Sequence, residues 1–293
     1  MEFILGQTGD GLKLKGVHWT SDIKDICIVF TPGMTGNIIE DNYPQIWGEY
    51  FSKNKIGFLY GHNRGYSHIN EIEVLNKITN EIENKKFGTV YEKFEDSYYD
   101  VDLWINKAKS LGYKRIILLG HSLGCNKNVY FLNKENNELV KGLILASPPD
   151  IVGMMKNKKF QPNYKILLKE AKELEMKHSN RLMRNLTWDW YNLSSTTFLN
   201  MIEDESLIDI FPLIRNPEKF KIFEKVKLPI LCFLAEDDNI IESPKKDLDL
   251  LKKKALNCNS FESKIFKDTD HCYENKELEV AETILNWIKK IIN

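Results

Sequence analysis

Ser122 lies in Gly120-His121-Ser122-Leu123-Gly124, directly after the apolar run Ile116-Ile117-Leu118-Leu119. The run reads as a buried strand, and Cys125-Asn126-Lys127-Asn128-Val129-Tyr130-Phe131-Leu132 can continue as helix. A serine on such a bend projects its hydroxyl ahead of the helix. Gly120 and Gly124 take away side chains that would crowd it. A serine hydroxyl attacks a carbonyl only when a base takes its proton, and the base needs a third group to orient it. The oxyanion formed by the attack needs fixed donors.

Three of the six histidines lie inside or beyond the serine motif: His121, His178 and His271. His121 adjoins the serine, and its side chain leaves the bend in another direction. His178 falls in a helical stretch where a solvated or packing role suits it. His271 sits in Lys267-Asp268-Thr269-Asp270-His271-Cys272, between a strand predicted at 261–267 and the last helix. Loops at the carboxyl ends of parallel strands carry the chemistry of open sheets, so His271 is the expected general base. Asp268 and Asp270 read as polar groups of that loop. The acid should follow the strand at 229–235, where Glu236, Asp237 and Asp238 are adjacent and periodicity does not separate them. For the oxyanion, one donor is the Leu123 backbone N–H. The other is expected from Thr31-Pro32-Gly33-Met34, where Gly33 permits close backbone approach and Met34 N–H is the best placed.

The elements that must position these groups alternate along the chain. Strands are expected at 2–7 and 12–18, around the turn Thr8-Gly9-Asp10-Gly11, and at 26–30, 56–60, 115–120, 142–146, 229–235 and 261–267. Helices are expected at 41–53, 97–110, 244–256 and 277–290. This order predicts a mostly parallel sheet covered on both faces. From about 150 to 220 the chain turns Met-, Lys-, Trp- and Leu-rich, with helix-like stretches near 163–178 and 203–209. That segment reads as an insertion of helices, leaving 1–149 and 221–293 as the core.

A chain of 293 residues suits one large α/β domain with such an insertion. With 41 basic and 42 acidic side chains the formal net charge is −1, which calls for neither nucleic acid nor an anionic membrane. The short cluster Lys156-Asn157-Lys158-Lys159 reads as a solvated face. Five cysteines, an odd number without C-x-x-C spacing, do not form a disulfide scaffold and fit cytosolic thiols. No signal peptide is visible at Met1–Gln7, and no apolar stretch reaches the roughly 18 residues of a membrane span. A cytoplasmic protein is therefore expected. The scattered histidines and acids have no metal-ligand spacing, and neither a metal nor another cofactor is expected.

With these parts assembled, the chain resembles the α/β-hydrolase superfamily over roughly 12–150 and 225–293. The resemblance implies an eight-stranded, mostly parallel sheet flanked by helices, with a helical cap inserted after the sixth strand. It matches Ser122 to the nucleophile and His271 to the family histidine. It aligns Ala235-Glu236-Asp237-Asp238-Asn239-Ile240-Ile241 with the family's acid motif, which makes Asp238 the acid. Met34 matches the residue after the family's His-Gly in the oxyanion loop, although Pro32 replaces that histidine. Asn63-Arg64-Gly65 looks like the family's Asp-Arg-Gly, a segment that orders loops. More narrowly, the stretch from Tyr91 through Gly124 and the early Asp10–Gly16 look like an uncharacterised hydrolase group related to fungal siderophore esterases.

The expected function is hydrolysis of a small-molecule carboxylic ester with an apolar acyl part, through an acyl-enzyme. The same triad supports acyl transfer or peptide cleavage, and a non-catalytic binding protein could retain the fold. The insertion is expected to form a lid. Met154, Met155, Met176, Met183, Trp188, Trp190, Tyr191, Phe198 and Met201 supply more large apolar groups than a solvated excursion needs.

Overall fold

Alternating strands and helices close into one eight-stranded sheet in the computed structural model, which describes residues 1–177 and 180–292. His178 lies outside the described residues. In chain order the elements are β1 (Glu2–Gln7), β2 (Lys13–Trp19), β3 (Ile26–Thr31), α1 (Tyr43–Lys53), β4 (Gly57–Gly61), β5 (Asn70–Leu75), β6 (Ile82–Phe87), α2 (Ser97–Ser110), β7 (Arg115–His121) and α3 (Leu123–Lys134). They continue with β8 (Val140–Ala146), α4 (Ile151–Lys156), α5 (Tyr164–Met176), α6 (Ser195–Ile202), β9 (Ile230–Ala235), α7 (Pro244–Lys254), β10 (Phe261–Phe266) and α8 (Glu277–Ile292).

The sheet order is β1-β2-β4-β3-β7-β8-β9-β10. β2 runs antiparallel to both β1 and β4, and β4, β3, β7, β8, β9 and β10 are mutually parallel. The central strands are apolar throughout because both faces are covered. Cys27, Val29, Ile116 and Leu118 join the core shared with α2 and α3, while Ile28, Phe30, Ile117 and Leu119 face α1 and α8. Cys27 and Cys232 are fully buried, and all five cysteines are free.

Three local features differ from the sequence expectation. Residues 70–87 form a two-stranded hairpin, β5–β6, whose strands are too polar to announce themselves: only Ile72 and Val74 are buried. The helix expected at 203–209 lies earlier, at α6. The Ser194 side chain caps it by accepting from Thr197 N–H at 3.2 Å, and Phe198, Met201 and Ile202 bury its inner face. The 203–209 stretch is instead a turn, tied by the Glu205 N–H to the Asp209 carboxylate at 2.8 Å. Helix α4 was not expected either; its first turn is capped by Asp150, which accepts from Gly153 N–H at 2.6 Å. Among the described residues, no helix is long and apolar enough to cross a membrane.

Candidate active site

Ser122 sits between β7 and α3 with φ 53° and ψ −128°. That left-handed backbone is costly for any residue with a Cβ, on the order of 1–3 kcal/mol, and persists only where its surroundings impose it. The surroundings here are explicit. Ser122 N–H donates to the Ala146 carbonyl of β8 at 2.9 Å, and its own carbonyl accepts from Cys125 N–H at 2.9 Å. The flanking glycines are sterically required. A Cβ on Gly120 would lie 2.6 Å from the Cys125 nitrogen, and one on Gly124 would lie 2.0 Å from the Thr31 carbonyl oxygen.

The chain after β3 passes just as closely. A Cβ on Gly33 would come within 2.8 Å of the Ser122 Cβ and 3.3 Å of its Oγ. This loop brings Met34 onto the cavity that Ser122 lines. It is fixed from several sides. Asn63 Nδ2 donates to the Pro32 carbonyl at 3.2 Å, and Thr35 N–H donates to Thr89 Oγ1 at 2.7 Å. Arg64 is held in turn by Asp100 and Asp10, each at 2.9 Å. Leu123 opens α3, where the first N–H groups of a helix have no partner within it.

Of the three adjacent acids, burial separates one. Glu236 and Asp237 are exposed, whereas Asp238 is buried and its Oδ2 lies 2.8 Å from His271 Nδ1. Burial pushes the Asp238 carboxyl up. The hydrogen bond and charge of His271, the Ser147 hydroxyl beside it and the Ile240 N–H together outweigh that, and hold it below the usual carboxylate range. Ser147 follows β8, has φ 52°, and pairs its hydroxyl with Tyr273 Oη at 2.8 Å. Neither Ser147 nor Tyr273 was anticipated from the sequence. A single serine beside Pro148-Pro149 carries no spacing signal, and only the packing of β8 against β9 brings it to Asp238.

Ser122 and His271 line one cavity of about 620 Å³ with Gly33, Met34, Asp237 and Asp270. The excursion between β8 and β9 supplies the opposite wall through Ile151, Met154, Phe160, Trp188, Trp190 and Tyr191. The remaining large apolar groups of that excursion serve otherwise: Met155, Met183, Phe198 and Met201 are core, and Met176 is 74% exposed. Lys159, expected on a solvated face, is exposed but sits at this cavity. Asp270 also ties its own loop, accepting from Cys272 and Glu274 N–H at 3.0 and 3.1 Å. Among the described residues, no group of three or more His, Cys, Asp or Glu side chains is arranged to hold a metal ion.

Comparison with known proteins places the fold. The chain is 24% identical over 175 residues to "Putative esterase/lipase 3" of Mycoplasma genitalium, covering 57% of this chain and 60% of that protein, less than two thirds of the relative's length. Solved structures of similar fold include the siderophore hydrolase EstB from Aspergillus fumigatus. Its TM-score is 0.72 at 12% identity, over 100% of this chain and 98% of that one. Est1E from Butyrivibrio proteoclasticus gives 0.65 at 16% identity, over 100% and 99%. The fold is that of the α/β hydrolases. Residues 93–293 match the family described as Protein of unknown function (DUF1749), and the chain belongs to that family.

Proposed function

We propose that this member of the DUF1749 family is a serine hydrolase that cleaves small-molecule carboxylic esters through an acyl-enzyme. The observation that carries the reading is the Asp238–His271 pair at 2.8 Å, on the cavity that also holds the strained Ser122 bend. With Asp238 on Nδ1, His271 presents Nε2 as the basic nitrogen. His271 takes the Ser122 proton as Oγ adds to the ester carbonyl. The Leu123 and Met34 N–H groups receive the oxyanion, and the ionised Asp238 stabilises the imidazolium. Collapse expels the alcohol, which takes the proton from His271. Water, deprotonated by His271, then releases the acid and restores the Ser122 hydroxyl.

The cavity wall supports an apolar acyl group. Met34, Ile151, Met154 and Phe160 offer adaptable apolar contact, and Trp188 and Tyr191 offer flat faces. On this reading residues 150–220 are the cap that selects the acyl part. The five free cysteines support a cytoplasmic setting.

The test is hydrolysis of a panel of chromogenic esters of graded acyl length by the wild type and by Ser122→Ala. Turnover by the wild type and a loss of roughly 10³-fold or more in the variant are expected, because the nucleophile acts as a unit with its base. Equal rates in the two proteins would refute the assignment.

A further inference from the structure

His121 fills the first x of the Gly-x-Ser-x-Gly bend, and the mechanism above leaves it unused. Its ring reaches Tyr43 on the α1 side of the sheet and is buried, at 4% exposure, and both residues border the cavity that Ser122 lines. Its Nε2 lies 2.9 Å from the backbone carbonyl of His271, and its Nδ1 lies 2.9 Å from Tyr43 Oη. Its ring stands beside the His271 ring, with centroids 4.6 Å apart. A carbonyl only accepts, so Nε2 must carry the hydrogen. In the neutral ring Nδ1 is then bare, and the Tyr43 hydroxyl must donate to it.

The protonation states agree with this assignment. Burial, then the neighbouring His271, lowers the His121 pKa to about 3, so the ring is neutral. Burial, followed by the charge of Asp41, raises the Tyr43 hydroxyl well above its ordinary value, so it keeps its proton. Both donors therefore point one way along the chain, from Tyr43 to His121 to His271.

We propose that Tyr43 and His121 are a positioning pair for the catalytic base, holding the His271 backbone carbonyl while Asp238 holds its ring. The proposal rests on the reading of His271 as that base. The loop that carries His271 lacks regular structure and includes left-handed Asp268, Tyr273 and Asn275, at φ 52°, 60° and 63°. Asp238 holds one ring nitrogen, while His121 holds the backbone carbonyl of the same residue and packs its ring against the His271 ring. Tyr43 opens α1, far from the base in sequence, and touches His121 at the end of β7 through its hydroxyl and its ring.

The two amide replacements of His121 separate positioning from simple core filling. Gln places its amide nitrogen near the Nε2 position and can still donate to the His271 carbonyl. Asn reaches only the Nδ1 position, keeping the Tyr43 contact and losing the one to His271. His121→Asn should lower kcat on the order of 10–100-fold with KM within about 3-fold, the cost expected of a misplaced reacting group. His121→Gln, which keeps the donor to His271 and gives up the Tyr43 contact, should lose less than His121→Asn and no more than Tyr43→Phe, about 10-fold, at a similar melting temperature. Tyr43→Phe, which keeps the ring and removes one hydroxyl, should lower kcat on the order of 10-fold, again without a KM change. It decides the matter if the His121 variants do not fold.

Each protein is also treated with a fluorophosphonate probe, and the labelling rates should follow kcat. Equal losses in the Asn and Gln variants, or a Tyr43→Phe enzyme with wild-type kcat, overturns the positioning role while leaving the triad intact. A wild type that neither labels nor hydrolyses overturns the reading of the site, and the pair with it.

Discussion

The bend and loops around Ser122 and the excursion that faces them are built on different terms. On the sheet side each group is over-determined. Ser122 is held in a left-handed conformation by backbone bonds on both sides, and Gly33, Gly120 and Gly124 leave no room for a Cβ. Asp238 is buried and bonded to both His271 and the Ile240 N–H. Across the cavity, Trp190 is 62% exposed, and Trp188 and Asp189 are left-handed at φ 52° and 58°. The part of that wall carrying Trp188, Trp190 and Tyr191 is short on regular structure: the stretch from 181 to 194 is turns and isolated bridges. Chemistry needs reacting atoms fixed to a fraction of an ångström, whereas a wall that receives varied acyl groups gains from adaptable side chains.

If that division holds, substitutions on the sheet side should abolish turnover on every substrate. Asp238→Asn should cost roughly 10³–10⁴-fold in kcat, because the amide no longer fixes the His271 tautomer. Glu236→Gln and Asp237→Asn should stay within a few-fold. A larger loss in either of these two would place the acid elsewhere.

Substitutions in the opposite wall should act unevenly. Met154→Ala, Phe160→Ala and Trp188→Ala should shift kcat/KM between short and long acyl chains by about 10-fold, the scale of a badly filled apolar pocket. A uniform change across the ester panel would mean that this wall does not select the acyl part.

The smallest effect contrasts two buried carboxylates by pH. Asp238 is held below its ordinary range, so its contribution to stability is present above about pH 4 and is lost as pH falls through its folded pKa. Asp150, at the root of the excursion, accepts N–H bonds from Gly153 and Ile214, yet burial pushes its pKa up to about 6. There the folded state holds a proton that the unfolded chain has released. Stability should therefore fall as pH rises from about 4 to about 6, on the order of 2–3 kcal/mol. Denaturant melts of wild type and Asp150→Asn across that window should show the slope shrinking in the variant. An unchanged slope would assign it to other groups, such as Asp247, which is also raised to about 6.

The same contrast governs what could be read from the chain. The Ser122 bend was legible because steric demand fixes glycine at two positions beside an apolar strand. His271 was legible because few histidines follow the serine, and one of them falls at a strand's carboxyl end. Asp238 was not separable from its two neighbours by pattern, since what distinguishes it is burial beside His271, a contact set by sheet packing. Resemblance supplied the register that periodicity lacked. Tyr43, Ser147 and Tyr273 escaped notice because each reaches the site through tertiary contacts. The excursion was legible in composition but not in detail. The helix expected in the charged 203–209 stretch begins instead at Ser195, where the Ser194 side chain caps it.

The central claim is that Ser122 carries the acyl group. The direct measurement is peptide-mapped mass spectrometry of the protein after reaction with a fluorophosphonate and, separately, after rapid acid quench with a chromogenic ester. The account predicts a single adduct on Ser122 in both reactions, its absence from Ser122→Ala, and parallel loss of turnover. An adduct on another residue, or undiminished ester hydrolysis by Ser122→Ala, would contradict it.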